Sequence, residues 1–425
     1  MKEVTIEIHH GGHWHEVATF VESGALNYNI DYVLAHMDAD RLVDRVGVNY
    51  PINFADFKRT GWPAFLLDLL PAGFARAAWV ERLEIRDDES ADWPLLCFAA
   101  GWPPGNLRIA SAAMPELIDH PGFERDEIID RNIDFIEYAE ANGALIAGAS
   151  SVQGQAPKFL LVEDHKGRWH AEGALAENQT RRHWLVKFPR GKKEADRQVL
   201  RNEAPYYEVA RAFGLKTATE LIFQDDSLFI QRFDRKVTNA GIERYGLESM
   251  ASICDSNVFG QRIPHNTFCK LLPDCVVEPL QDLLEYVKRD ILNLALGNTD
   301  NHGRNTAVIK MSDGTSALSP LFDFAPMFLD PEGIPRSSRW EQEKVTGTPE
   351  WGLIAEALNA PGISTLEFRK WFAGQATEVE GLPDLMESCG VEPDIIEKLN
   401  RRINNLARTL REAEAKNYSV PRRAT

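Results

Sequence analysis

The sequence predicts an α+β fold in two lobes, a mixed, sheet-bearing N-terminal half followed by a largely helical C-terminal half. Three observations carry this. Apolar residues alternate with polar ones in short runs up to about residue 248, as in Glu3 to Ile8 and His183 to Phe188. From about 250 the period lengthens to three and four, in 283–296 and again at Ile396, Leu399, Ile403, Leu406 and Leu410, the stripe of an amphipathic helix. Between those helical runs lies one polar loop, Gly297-Asn298-Thr299-Asp300-Asn301-His302-Gly303-Arg304-Asn305, answered by Phe322-Asp323-Phe324. With 425 residues the chain exceeds one compact core. The expected units are an N-terminal mixed α/β subdomain (1–115), a sheet-bearing lobe (116–248), a helical lobe (249–418) and a frayed tail (419–425).

The polar loop carries the chemistry. Residues 283–296 read as a helix stopped by Gly297. Ala307-Val308-Ile309 reads as a strand, Ser312-Asp313-Gly314-Thr315 as a turn, and 317–322 as the returning strand. Such a hairpin brings Asn305 and Asp323 to one end, beside Asp300. An amide and a carboxylate are hard oxygen ligands suited to Mg²⁺. Phosphoryl transfer from ATP needs this set: a carboxylate to orient an attacking hydroxyl, and Asn plus Asp to hold the metal on the phosphates. Protein kinases place base and metal Asn five positions apart, as Asp300 and Asn305 are here. The plainer alternative is a polar loop whose side chains satisfy backbone groups.

Upstream, His183 to Pro189 puts Trp184, Val186 and Phe188 on one strand face and Leu185 and Lys187 on the other. A lysine there needs partners to be buried; an edge-strand lysine facing water is the alternative. The helix expected over 196–213, stopped by Gly214, presents Glu203 among its inward positions. In a two-lobed kinase-like fold, the strand 228–230 runs into a hinge, so Gln231, Arg232 and Phe233 are candidates to meet adenine; an ordinary strand end with Arg–Asp pairing is the alternative. The small-residue run 148–158, with Gln153, Gly154, Gln155, Ala156, Pro157 and Lys158, offers successive N–H groups that can curl over phosphates. It is not a Walker loop, since Gly-Lys-Ser/Thr is absent and a strand follows, and on these residues alone a plain Ser/Gly-rich turn is the better reading.

Other features bound the reading. A formal charge of −17 argues against a broad direct grip on DNA or anionic lipid. Five cysteines without C-x-x-C spacing suit a reducing compartment. The N-terminus lacks the apolar core of a signal peptide, and no apolar run reaches membrane-spanning length, so a cytoplasmic protein with no membrane contact is expected. His9, His10, His13 and His15 flank Gly11-Gly12 and read as turn histidines rather than metal ligands. Residues 61–71 read as an apolar helical segment bracketed by prolines, and 116–147 as helical, with Ile128, Ile129, Ile133 and Ile136 recurring.

Together these motifs resemble the HipA family of bacterial serine/threonine kinases, the toxins of toxin–antitoxin pairs. The resemblance covers most of the chain and is most specific from 148 to 330. It implies that Asp300 is the proton-accepting aspartate and that His302 and Asn305 contact nucleotide and Mg²⁺. Asp323, in Ser319-Pro320-Leu321-Phe322-Asp323-Phe324, is then the second metal ligand, Lys187 the phosphate lysine, and Gln231 to Arg235 the hinge, with Gln231 where the family usually has Glu. The N-terminal part, including Asp68-Leu69-Leu70-Pro71, is similar to the family's N-terminal subdomain. The loop 148–158 resembles the family's phosphate loop, whose serine is autophosphorylated; Ser151 aligns best, with Ser150 the alternative. A phosphoserine there would meet the nucleotide phosphates in one small pocket and expel the loop. The resemblance further implies a HipB-like helix-turn-helix antitoxin, DNA association only through that partner, and a protein substrate of the translation apparatus such as an aminoacyl-tRNA synthetase. Two rival readings stand beside it: a small-molecule kinase using the same base and metal residues, and an inactive nucleotide-binding module that holds an antitoxin.

Overall fold

In the computed structural model, which describes residues 2–112, 120–131, 133–141, 156–358 and 362–415, the N-terminal part is built on one antiparallel sheet. Its strands are β1 (Glu3–His10), β2 (His13–Val21), β3 (Ala25–Tyr28), β4 (Phe57–Lys58) and β5 (Leu107–Ile109), in the order β4-β3-β2-β1-β5. Val4, Ile6 and Ile8 alternate into a core shared with Phe65, Leu66, Trp79 and Trp93. Gly11 and Gly12 both take positive φ, as a two-residue hairpin turn with this twist requires. His13 and His15 are exposed on that hairpin, whereas His9 is buried, and no metal-holding group of His, Cys, Asp and Glu occurs among the described residues. The apolar segment 61–71 is helical only over Ala64–Asp68, as a 3₁₀ turn.

The expected helical stretch 116–147 is, in its described part, two short helices, Arg125–Ile129 and Ile133–Ala141. Arg131 between them has φ +50°, which no helix continues through. The break turns Ile133 outward, 69% exposed, while Ile128 and Ile129 stay inside.

A second sheet follows: β6 (Lys158–Asp164), β7 (Trp169–Ala171), β8 (Thr180–Lys187), β9 (Leu221–Gln224) and β10 (Ser227–Gln231), ordered β7-β6-β8-β10-β9. Lys187 therefore stands on the central strand, not an edge. Trp184, Val186 and Phe188 join Phe159, Trp169 and Phe229 in one core, as alternation requires. The other face looks into a cleft. The helix Glu194–Ala212 packs beside it, its C-terminus closed by Gly214 at φ +89°.

A hairpin of β11 (Arg235–Thr238) and β12 (Gly241–Arg244) leads to β13 (Gly246–Ser249), which pairs with β14 (Ala307–Lys310) and through it β15 (Ser316–Leu318). The returning strand ends four residues earlier than the alternation predicts. Leu321 N–H donates instead to Lys216 O at 2.7 Å, so the chain leaves this small sheet for the segment after the long helix. The helices Pro279–Leu296, Thr365–Glu380 and Pro393–Ala415 share a core in which Leu399, Ile403, Leu406 and Leu410 are buried. No helix among the described residues is long and apolar enough to cross a membrane.

Candidate active site

Register places the first part of the site. Lys158 at the start of β6 lies directly opposite Lys187 at the end of β8. Two ammonium groups side by side in a sheet repel unless anions come between them. Here the anions are Asp323 and Glu203: Lys187 Nζ donates to Glu203 Oε1 at 2.5 Å and to Asp323 Oδ1 at 2.6 Å, and Lys158 Nζ to Asp323 Oδ2 at 3.1 Å. Burial opposes ionisation of Asp323, yet the two lysines outweigh it and hold this carboxyl far below the usual range. Burial likewise disfavours the Lys187 ammonium, but Asp323 and Glu203 raise its pKa. For Glu203 burial wins, and its pKa is raised despite Lys187. Asp323 holds a left-handed backbone (φ +55°), uncommon for a residue with a side chain, and its N–H donates to Tyr207 OH at 2.9 Å.

The polar loop supplies the second part. Gly297 (φ +69°) ends the Pro279–Leu296 helix, and the chain turns at once into Asp300. Asn305 Nδ2 donates to Asp300 O at 2.8 Å, closing the loop on itself and pinning its side chain. The backbone N–H groups of Met250 and Ala251 donate to Thr306 O and Gly303 O and brace it from the side. Asp300 is buried, which raises its pKa, the Asp323 charge adding to the shift and His302 opposing it. Burial lowers the His302 pKa, against the pull of Asp300 and Asp323. Its Nδ1 accepts from Arg304 N–H at 3.2 Å, so the ring proton resides on Nε2, 3.5 Å from Asp300 Oδ1. Asp300, Asn305 and Asp323 line one small cavity, as the hairpin predicts.

A cleft of about 940 Å³ opens from there between the sheet and the helical lobe. Leu160, Leu185, Ile230, Leu247 and Phe322 form its apolar walls, and Lys158, Lys187 and Asp323 its charged end. Of the hinge candidates, Phe233 lies in the wall with its ring tilted 35° to Phe322 at 5.9 Å, and Gln231 Oε1 accepts from Thr219. For Arg232 the structure shows the strand-end Arg–Asp pairing. This residue borders the cleft, but its N–H donates to His183 O and its guanidinium to Asp234 and Glu172, so these donors are committed to the fold. Ala156 borders a neighbouring pocket shared with Asp300 and Asp323, and Pro157 O accepts from Phe188 N–H. Gln153, Gly154, Gln155, Ser150 and Ser151 lie outside the described residues.

One further residue lines the site. Asp68 of the N-terminal part lines the same cleft and accepts from Ser249 N–H (3.0 Å), Ser249 Oγ (2.8 Å) and Arg304 Nη1 (2.8 Å). The signal was present: a carboxylate inside Phe65-Leu66-Leu67-Asp68-Leu69-Leu70 is as costly to bury unpaired as Lys187 in its strand.

The donor set fits a Mg²⁺–nucleotide. Asn305 and Asp323 offer oxygen only, and the described residues hold no group of three or more His, Cys, Asp or Glu that would cage a metal by themselves. Mg²⁺ is characteristically held by one or two protein oxygens together with substrate phosphates. The two ammonium groups on Asp323 mark where anionic oxygens are welcome.

Residues 150–408 match the family of the HipA-like C-terminal domain. A search of curated proteins finds no match. Among solved structures, a chain from the complex of HipA, HipB and operator DNA of the Shewanella oneidensis MR-1 toxin–antitoxin system is similar in fold, with a TM-score of 0.69 at 15% identity, covering 97% of this chain and 100% of that one. The family match takes in well over half of the chain, and the chain belongs to the HipA family.

Proposed function

We propose that the chain is an ATP- and Mg²⁺-dependent protein serine/threonine kinase. One observation carries this: Lys187 reaches Glu203 and Asp323 together, while Asp300 and Asn305 share a cavity with Asp323. Lys187 and Lys158 would hold nucleotide phosphates, and Asn305 and Asp323 would hold the metal. Mg²⁺, when bound, neutralises charge on the phosphate oxygens. Asp300 orients the acceptor hydroxyl and takes its proton on the carboxylate, and the raised pKa of Asp300 makes it the better base. Phosphate oxygens compete with Asp323 for the two ammonium groups, so Lys158 and Lys187 change partners on binding. Asp300→Ala should abolish transfer from labelled ATP to protein and leave nucleotide affinity nearly intact. Transfer at the wild-type rate would overturn the assignment, and transfer to small alcohols but never to protein would favour a small-molecule kinase.

We further propose that it acts as the toxin of a toxin–antitoxin pair, held by a HipB-like helix-turn-helix antitoxin and meeting DNA only through it. Family membership and the fold of the Shewanella complex support this. The substrate we infer is a cytoplasmic protein of the translation apparatus, such as an aminoacyl-tRNA synthetase, with a second phosphate placed on Ser151 or Ser150 of the chain itself. Growth arrest by the wild type and none by Asp300→Ala is the expected result; mass spectrometry of the purified protein checks the serine.

A further inference from the structure

We propose that Asp68 is a positioning residue, through which the N-terminal part sets the geometry of the catalytic loop. The inference rests on the kinase reading only for the role given to Asp300.

The contacts form a continuous line. Asp68 Oδ1 accepts from Arg304 Nη1, Arg304 N–H donates to His302 Nδ1, and His302 Nε2 stands 3.5 Å from Asp300 Oδ1. Each link decides the next. The Arg304 guanidinium is buried, lying 4.5 Å over the Phe259 ring, and Asp68 is the anion beside it. A buried arginine stripped of its carboxylate must move toward water or take its loop with it. Displacing Arg304 moves its N–H, which keeps the imidazole's proton on the nitrogen that faces Asp300.

A second attachment runs parallel. Asp68 also holds Ser249, whose Oγ accepts from Ser252 N–H at the start of the Met250–Ile253 helix. Val48 N–H donates to Glu248, and Asn49 Nδ2 to Ser252 O and Ile253 O. Met250 and Ala251 of this segment are the residues whose N–H groups hold Thr306 and Gly303 of the loop. The N-terminal part therefore grips the catalytic loop directly at Arg304 and indirectly through 248–253. Asp68 already accepts from three donors, so its effect passes through Arg304 rather than through the nucleotide.

The test compares Asp68→Asn, Arg304→Gln and the double variant. Asp68→Asn should lower kcat about tenfold or more while KM for MgATP stays within about twofold, and the double variant should fall no further than the worse single one. Hydrogen exchange at the 303–305 amides should rise in Asp68→Asn without nucleotide present. Should Asp68→Asn not fold, Arg304→Lys, which keeps the charge but loses the fork, makes the same comparison. Unchanged kcat with unchanged exchange overturns the proposal, and a rise in KM alone makes Asp68 a nucleotide ligand instead. If the wild type transfers no phosphate at all, the kinase reading fails, and the exchange data still decide whether Asp68 holds the loop.

Discussion

Asp300 and Asp323 are both buried aspartates of one cavity, yet removing them should have different consequences for the fold. Asp323 neutralises Lys158 and Lys187 at once, whereas the ion-pair contact of Asp300 is His302, at 3.5 Å, with Lys158 acting on it only from farther off. Asp323→Ala would leave two like charges opposite each other with Glu203 as their one close anion, a loss of about 3–5 kcal/mol for breaking a buried pair. Asp300→Ala removes a carboxylate whose burial is unfavourable, so its cost should stay below about 1 kcal/mol. Urea unfolding separates the two, and equal losses would mean that the lysines are not balanced through Asp323. Calorimetry with MgATP should show binding lost for Asp323→Ala and kept for Asp300→Ala.

At the scale of elements, what the sequence made legible follows from range. The facing of Lys187 and the Gly297 stop are local properties, period two in a strand and a left-handed helix end, and both appear as read. The pairing of Glu203 was reachable too, because helical spacing aimed it inward. Arg232 mixes the two ranges: its pairing with Asp234 is two residues away and legible as a strand-end Arg–Asp pair, whereas Glu172 lies 60 residues off; Asp68 is decided by Arg304, 236 residues away, which no local pattern shows. The split of 116–147 escaped because apolar spacing carries through Arg131, where the backbone does not. Gly297 also allows a prediction. A Cβ there would meet Phe328 Cδ1 at 2.7 Å and Leu399 Cδ2 at 3.2 Å, on a backbone with φ +69°. Gly297→Ala should destabilise the helical lobe by about 2–3 kcal/mol, adding left-handed strain to overpacking, and, on the proposed kinase activity, should slow transfer because the loop holding Asp300 starts at the next residue. A denaturation midpoint equal to wild type would show that this junction yields freely.

Across the whole molecule, the junction between the N-terminal part and the second sheet is held by buried charge rather than by apolar packing alone. Asp234 Oδ2 accepts from Gly105 N–H and from Arg232 and Arg235, Arg235 reaches back to Gly105 O and Pro103 O, and Glu172 binds His183 and Arg232. Such a junction should fail in acid, and the signs agree. His9 sits against Arg244, with Arg235, Arg108 and His15 close enough to act on it; burial first, then these cations, push its pKa down to about 3. Burial also lowers His183 and His170, against the pull of Glu172 and Asp164. A histidine with a depressed folded pKa stays neutral in the folded chain while the unfolded chain gains a proton below about pH 6.5, so stability falls as pH drops through that window. Glu172 and Asp234, held low by their cations despite burial, extend the loss below about pH 4.5. For His9 alone the difference between pH 7.5 and pH 5 amounts to about 2 kcal/mol, at about 1.4 kcal/mol per pKa unit. Unfolding free energies at those two pH values should differ by at least that amount in the wild type and by about 2 kcal/mol less in His9→Gln. A His9→Gln protein with the full wild-type pH dependence would move the acid sensitivity elsewhere and leave the junction's histidine without the role given to it.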